Sequence, residues 1–219
     1  MRVLLQHRSR YVYPRPTTLG PHLIRLRPAA HARARIESYG LRVTAPGEIR
    51  WQQDPAGNFV ASAGWGEARV PELEVAVELA VDIRPVNPFD FTLDGEADDT
   101  PFEYGPLTQE LAPYLDKSDK AFTVGKLAES FLESLPRAGR TVPLVVEINR
   151  LVSKHVRYVI REEPGVWTPE ETLANGRGSC RDSAVLLIAA LRSRGLAARF
   201  ASGYLVQLTD EGMLPDQPR

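Results

Sequence analysis

The feature that most constrains this chain is a change in the spacing of its apolar residues. Every second residue is apolar from Leu73 to Ile83, which is the period of a strand with one buried face. Apolar residues from Val124 to Leu135 recur at intervals of three and four, which is the period of a helix. Strand-forming and helix-forming residues thus occupy different parts of the chain. That order predicts an α+β protein.

Residues 1–95 predict an all-β domain, because short apolar segments alternate with turn signals. The candidate strands are 6–13, 22–27, 36–44, 48–53, 58–63 and 73–83. The turn 54–58 between the fourth and fifth contains Pro55, which presets φ, and Gly57, which accepts a positive φ. A β-sandwich is the architecture expected of such a domain.

Prolines and acidic residues accumulate next, and 96–118 is interpreted as a linker or an extended wrapping segment. Its acidic run lacks the spacing of a calcium loop, so no metal site is predicted there. The remaining domain, 119–219, begins with helical spacing. A capping box at Thr168 and Glu171 predicts a short helix that ends at Gly176.

The single cysteine of the chain lies at a predicted junction between a loop and a helix. Ser179 is a good N-cap residue, and Asp182 three positions later completes a capping box, so Cys180 is expected to be the first helical residue. The helix is predicted over 180–194 and a strand over 199–208.

A thiol at this position faces unpaired backbone N–H groups. These groups and the helix dipole favour the thiolate of Cys180, which is the nucleophilic form. The same N-terminus, Ser179 and Cys180, is a candidate oxyanion site. We expect Gly176 and Gly178 to allow a tight turn and close approach of a substrate. Trp167 is a candidate wall of the cleft, with plain packing as the alternative.

The residues around the cysteine resemble the core of the transglutaminase-like superfamily. The matching pieces are Gly178-Ser179-Cys180-Arg181-Asp182-Ser183-Ala184, Leu191-Arg192 and the run from Gly195 to Tyr204. Residues 1–95 resemble the N-terminal region of bacterial transglutaminase-like proteins. Those pieces are 21–28, Trp51-Gln52-Gln53-Asp54-Pro55 with Gly57-Asn58, and Asn87-Pro88-Phe89-Asp90-Phe91.

The resemblance implies a papain-like core, with helices on an antiparallel sheet, and acyl transfer as the chemistry. Cys180 would attack a carboxamide or peptide carbonyl, a histidine would take its proton, and an acid would orient that histidine. An amine acceptor gives cross-linking, and water gives amidase or protease activity. A protein or peptide is the implied substrate, and no cofactor is implied.

In the resembled family the catalytic histidine and aspartate follow the cysteine helix. All four histidines of this chain, His7, His22, His31 and His155, precede Cys180. Asp182 cannot replace these catalytic residues, because a separation of two residues along a helix directs its side chain about 200° away from that of Cys180. We interpret His155 as a helix histidine with a satisfied ring. We therefore expect a truncated core that keeps only the cysteine and is inactive alone. Its open edge near Tyr204, Val206 and Leu208 would favour self-association.

A second hypothesis is a non-catalytic binding or assembly module that uses the core for its shape. The net charge of −1, from 27 basic and 28 acidic residues, gives no reason to expect nucleic acid or an anionic membrane as partner. No apolar run approaches the roughly 18 residues that span a bilayer. The polar start lacks a signal peptide, and one cysteine forms no intramolecular disulfide. The cytoplasm is therefore the expected compartment.

Overall fold

The computed structural model describes residues 1–118 and 120–206. The chain divides into two compact units, Met1–Asp90 and Phe91–Arg219. Strands form the first unit and helices dominate the second, which confirms the predicted α+β class. No helix in the described parts of the chain has the length and apolar character needed to cross a bilayer.

The first unit contains two three-stranded antiparallel sheets, with strand orders β1-β6-β3 and β2-β5-β4. The strands are β1 (Arg2–Thr18), β2 (His22–Ile24), β3 (Arg35–Val43), β4 (Glu48–Gln53), β5 (Phe59–Gly64) and β6 (Arg69–Asp82). All six predicted strands exist; β4 has the predicted ends, and the ends of the other five are shifted. The predicted hairpin turn joins β4 to β5, and its Asp54 carboxylate accepts the N–H groups of Ala56 and Asn58.

The core of this unit draws on both sheets. Leu73 and Val75 of β6, Ala61 and Ala63 of β5, and Trp65 are buried in one cluster. On the second face of β6 the small side chains of Ala76 and Ala80 are buried, whereas Glu78 between them is exposed. The alternation in β6 therefore identified its buried face. A face-to-face sandwich arrangement of the two sheets stays a prediction.

In the described part of the second unit, residues 91–118 and 120–206, there are helices and four short strands. The helices are α1 (Thr108–Leu115), α2 (Lys126–Ser134), α3 (Thr141–His155), α4 (Pro169–Asn175) and α5 (Cys180–Ser193). The strands are β7 (Asp99–Thr100), β8 (Gly139–Arg140), β9 (Arg157–Tyr158) and β10 (Arg177–Gly178). β7 pairs with β8 in antiparallel fashion, and β9 pairs with β10 in parallel.

The core of the second unit lies between α2, α3 and α5. Phe131, Ile148, Val152, Leu186 and Ala190 are among its buried residues. Each of these helices places apolar residues three or four apart, so one stripe per helix meets the others. α5 is the helix predicted from the cysteine onward, and its position in this core fixes its N-terminus.

The segment 96–118, interpreted as a linker or an extended wrapping segment, packs within the second unit, which agrees with the second of these alternatives. The hydroxyl groups of Thr100 and Thr141 lie 2.9 Å apart and both residues are buried. The Tyr104 hydroxyl accepts the N–H of Ala197 at 2.7 Å. Composition indicated a solvated stretch, but these hydrogen bonds and α1 tie it to the helical core.

The strand predicted over 199–208 is not observed in residues 199–206, which have no regular structure. A strand exists only when a neighbour pairs with it, and none of the described residues pairs with this segment. Tyr204 and Val206 are half-buried rather than exposed, whereas Leu205 is exposed. Residues 207–219, including Leu208, lie outside the described residues.

Candidate active site

The candidate nucleophile, Cys180, lies at the start of α5. Cys180 is the first residue of this helix, as predicted, and it is exposed. The preceding residue, Ser179, is 6% exposed and has the extended backbone of an N-cap. The thiol is therefore open to a reactant, while the backbone that carries it is anchored in the protein.

The buried carboxylate of Asp182 holds the backbone before Cys180 in place. This carboxylate is 0% exposed and accepts the Ser179 N–H at 2.8 Å and the Ser179 hydroxyl at 2.7 Å, which is the predicted capping interaction. It also accepts Nε and Nη2 of Arg161, at 3.0 and 3.1 Å, and the N–H of Trp167 at 2.9 Å. A buried carboxylate is stable only when its oxygens are paired in this way.

The hydrogen-bond donors around Asp182 determine the ionisation state of its carboxylate. Burial by itself would raise the pKa of Asp182, but hydrogen bonds from Arg161, Trp167 and Ser179 outweigh it and lower the pKa far below its ordinary value. Asp182 is thus an anion at all physiological pH values. Its hydrogen bonds and its charge suit it to hold the helix start as a fixed acceptor.

The loop 161–167 is clamped to the first turn of α5 from both sides. The Arg161 side chain bonds to Asp182 and to the Gly165 carbonyl, the latter at 2.9 Å. In the opposite direction, the Arg181 guanidinium donates to the Arg161 carbonyl at 3.1 Å and to the Glu163 carbonyl. The Trp167 ring lies 4.4 Å from the Arg161 guanidinium carbon. The loop and the helix start therefore form one connected structure.

The two glycines before the cysteine have separate roles, and only that of Gly178 differs from the one expected. Gly176 has φ of 57° and ends α4, which agrees with the predicted helix end. Gly178 is buried, and a Cβ there would lie 3.0 Å from the Asp182 Cβ. Its lack of a side chain allows close packing beneath the helix, so Gly178 does not open a path for a substrate.

The β9–β10 pair places a second segment beside the cysteine loop. Tyr158 lies opposite Gly178, two residues before Cys180. The N–H of Val159 donates to the Gly178 carbonyl at 3.0 Å. His155, at the end of α3, has Nδ1 2.8 Å from the Leu151 carbonyl and an edge contact with Phe131. This agrees with a helix histidine whose ring is satisfied.

The structure brings together the three residues that the sequence singled out. Ser179 and Trp167 both bond to Asp182, and Cys180 lies between Ser179 and Asp182 in the same turn. Sequence reasoning missed Arg161, which is 21 residues from Asp182 and carries no local signal. The described residues contain no group of three or more His, Cys, Asp or Glu side chains arranged to hold a metal ion.

Comparisons with known proteins find related families and a similar fold. Residues 3–82 match the family model "Bacterial transglutaminase-like N-terminal region", and residues 133–213 match the model "Transglutaminase-like superfamily". No curated protein matches the chain. A crystal structure of a candidate cysteine protease from Cytophaga hutchinsonii is similar, with a TM-score of 0.57 and 17% identity over 88% of this chain. The match spans 66% of that protein's length, and at this identity it shows a shared fold.

Proposed function

Because this chain belongs to the transglutaminase-like superfamily, we propose that Cys180 is the nucleophile of an acyl-transfer or hydrolysis reaction at a carboxamide or peptide bond. One observation carries the proposal: an exposed thiol begins a 14-residue helix whose first turn is fixed by a buried, fully paired carboxylate. A fixed nucleophile at a helix N-terminus is what acyl transfer through cysteine requires.

The reaction has two steps. The thiolate of Cys180 attacks the carbonyl carbon, a C–S bond forms, and the C–N bond breaks as the nitrogen leaves with a proton, as ammonia or an amine. An amine or water then attacks the thioester and releases the thiol. The first acceptor gives cross-linking and the second gives hydrolysis.

The N–H groups at the start of α5 support stabilisation of the oxyanion formed in each step. Of the two candidates, Ser179 and Cys180, the Ser179 N–H already donates to Asp182, so we assign this role to the Cys180 N–H. Trp167 is proposed as one wall of the cleft, because its backbone bonds to Asp182 and its ring covers Arg161.

No base is assigned within this chain. The family order places the catalytic histidine after the cysteine, and none of the four histidines follows Cys180. Acid–base help is typically worth about 10²–10⁴ in rate, so this chain alone should be a weak catalyst. The proposed substrate is a protein or peptide. The proposed compartment is the cytoplasm, since a chain with one cysteine needs no internal disulfide.

An activated acyl donor tests the nucleophile without requiring a catalytic base. We would use a glutamyl peptide whose side chain is a p-nitrophenyl ester, and follow nitrophenol release and the intact protein mass at pH 7. We expect one acyl group on Cys180, formed at least about ten times faster than on N-acetylcysteine at the same concentration. Added primary amine and water then compete for the acyl group, and their products separate cross-linking from hydrolysis.

Cys180→Ala is the control and should gain no acyl group. Equal rates for the protein and N-acetylcysteine would mean that the helix start does not activate the thiol. That result would favour the alternative of a binding or assembly module.

A further inference from the structure

A pocket of about 400 Å³ lies in the first unit, along the segment that joins β2 to β3. Arg27, Arg33 and Arg35 line it, together with Phe59 from the start of β5 and alanines of the stretch 29–34. The small alanine side chains leave this space unfilled. Pockets that hold small molecules typically measure roughly 300–1,000 Å³, so this one has room for a compact ligand.

The arginines of this pocket are not balanced by acidic groups. All other residues that line the pocket are uncharged. Within residues 1–118 and 120–206, the guanidinium groups of Arg27, Arg33 and Arg35 make no ion pair and no hydrogen bond. Most other arginines of the first unit pair with a carboxylate, as Arg42 does with Glu78 at 3.0 Å. The pocket therefore concentrates positive charge that the fold leaves unpaired.

The carboxylates near Arg35 are held by other cations. Asp82 lies opposite Arg35 in the pairing of β3 with β6, but its carboxylate binds the N-terminal ammonium group at 3.0 Å and Arg84 Nε at 3.3 Å. Glu37, two residues after Arg35, binds Arg2 Nε at 2.7 Å. The charge of the pocket is thus left for an anion from outside the chain.

Aromatic rings hold one of the three guanidinium groups in place. The Arg27 guanidinium carbon lies 4.2 Å from the centre of the Phe59 ring, and 5.5 and 5.6 Å from those of Tyr39 and Trp51. Stacking of this kind uses the faces of the planar group and leaves its in-plane N–H donors for hydrogen bonds. Arg27 therefore presents a preorganised fork of donors, which is the geometry that binds a phosphate or a carboxylate through two bonds.

We propose that this pocket binds a small molecule with at least two neighbouring anionic groups, phosphates or carboxylates. A ligand with a single charge would leave most of the positive charge of Arg27, Arg33 and Arg35 unbalanced. The limited volume of the pocket favours a compact ligand over a long chain. The site belongs to the first unit alone, so the proposal is independent of the reactivity of Cys180.

Isothermal titration calorimetry on the full chain tests this site, with inorganic pyrophosphate and citrate as the probes. We expect at least one of them to bind with a stoichiometry of about one, and the tighter of the two distinguishes phosphate from carboxylate recognition. The double variant Arg33→Gln, Arg35→Gln should weaken that binding at least about 10-fold, because it removes two charge-assisted hydrogen bonds.

The matched control removes the same charge from outside the pocket. Arg15 and Arg69 are exposed and have no ion pair among the described residues, and neither lines the pocket. The double variant Arg15→Gln, Arg69→Gln should change the affinity less than about 2-fold, since salt screens distant charges. Arg27→Lys keeps the charge but loses the planar fork, and it should weaken binding roughly 3- to 10-fold. Urea unfolding verifies that each variant is folded.

Three results would overturn the proposal. Equal losses of affinity in the two double variants would show attraction to the overall charge and not to this pocket. Failure of both pyrophosphate and citrate to bind would exclude a small anionic ligand. If a hexaglutamate peptide bound in a way that required Arg33 and Arg35 while neither small probe bound, the site would recognise an acidic protein segment instead.

Discussion

Arg161 and Asp182 form a bidentate ion pair beside the first turn of the cysteine helix, with Nε–Oδ2 and Nη2–Oδ1 distances of 3.0 and 3.1 Å. The two side chains are 7% and 0% exposed. The pair joins the loop 161–167 to α5 across 21 residues of sequence. A buried pair of this kind adds little net stability compared with apolar packing, but removing one partner is costly. Its role here is to hold the helix start, and with it Cys180, in one position.

The first prediction concerns the charge of Asp182. Asp182→Asn keeps the shape of the side chain but leaves the buried guanidinium without its counter-charge. We expect the substitution at Asp182 to lower the free energy of unfolding by about 3–5 kcal/mol. Urea denaturation measures the change.

The matched control is Glu78→Gln, the same acid-to-amide change in an exposed pair. Glu78 bonds to Arg42 at 3.0 Å, and their side chains are 60% and 71% exposed. Solvent screens such a pair, so unfolding should hardly change. If both variants lost a similar, small amount of unfolding free energy, the buried charge of Asp182 would contribute no more to stability than the exposed charge of Glu78.

The second prediction concerns pH. Because the pKa of Asp182 is lowered in the folded protein, its charge contributes stability above the unfolded-state pKa of about 3.9, and this contribution is lost as pH falls further. The difference in unfolding free energy between wild type and Asp182→Asn should be constant from pH 7 to 5 and shrink below pH 4. Urea titrations at each pH measure it. A difference that grew on acidification would reverse the assigned sign.

The third prediction concerns the N-terminus of α2, which lacks its own capping side chain. The Glu170 carboxylate from α4 accepts the N–H groups of Ala128 at 2.8 Å and Leu127 at 3.3 Å. A Cβ on Gly125 would lie 2.6 Å from the Glu170 Cδ. Glu170→Ala should cost about 0.5–2 kcal/mol.

Gly125→Ala should be destabilising alone, because the new methyl group displaces the cap, and close to neutral once Glu170 is alanine. A double-mutant cycle in urea measures this coupling. Additive effects of the two substitutions would mean that Gly125 serves another purpose.

The fourth prediction concerns Trp167. Trp167→Phe retains an aromatic ring that can cover the Arg161 guanidinium, whereas Trp167→Ala removes it. We expect the alanine variant to lose about 1–2 kcal/mol and the phenylalanine variant to lose less. Both should acylate at Cys180 more slowly if the indole forms the cleft wall. A full acylation rate in Trp167→Phe would restrict this residue to packing.

The fifth prediction concerns the boundary between the units. Residues 83–94 have no strand or helix, and Phe89 and Phe91 are exposed there. We propose that the two units fold independently. Limited digestion with chymotrypsin tests this proposal. We expect the first cut after Phe89 or Phe91, and slower cutting in the double variant Phe89→Ser, Phe91→Ser. A first cut within 96–118 would support the original linker boundaries instead.

Features that depend on neighbours a few residues apart could be predicted from the sequence. The starts of α4 and α5 follow from capping residues three positions apart, Thr168 with Glu171 and Ser179 with Asp182. The two apolar periods identified the strands of the first unit and the helices of the second, because each period fixes which residues share a face. The position of Cys180 at a helix start was therefore readable without coordinates.

The long-range pairings could not be predicted in this way, because they form only when distant segments pack together. Nothing in the sequence near Arg161 indicates its bond to Asp182, and the composition of 96–118 concealed the contact between Thr100 and Thr141. The predicted strand over 199–208 failed in 199–206 for the same reason, since pairing needs a second segment that local propensity does not supply. Local hydrogen bonds fix where a helix begins, whereas the burial and pairing of distant side chains are fixed when the whole chain packs.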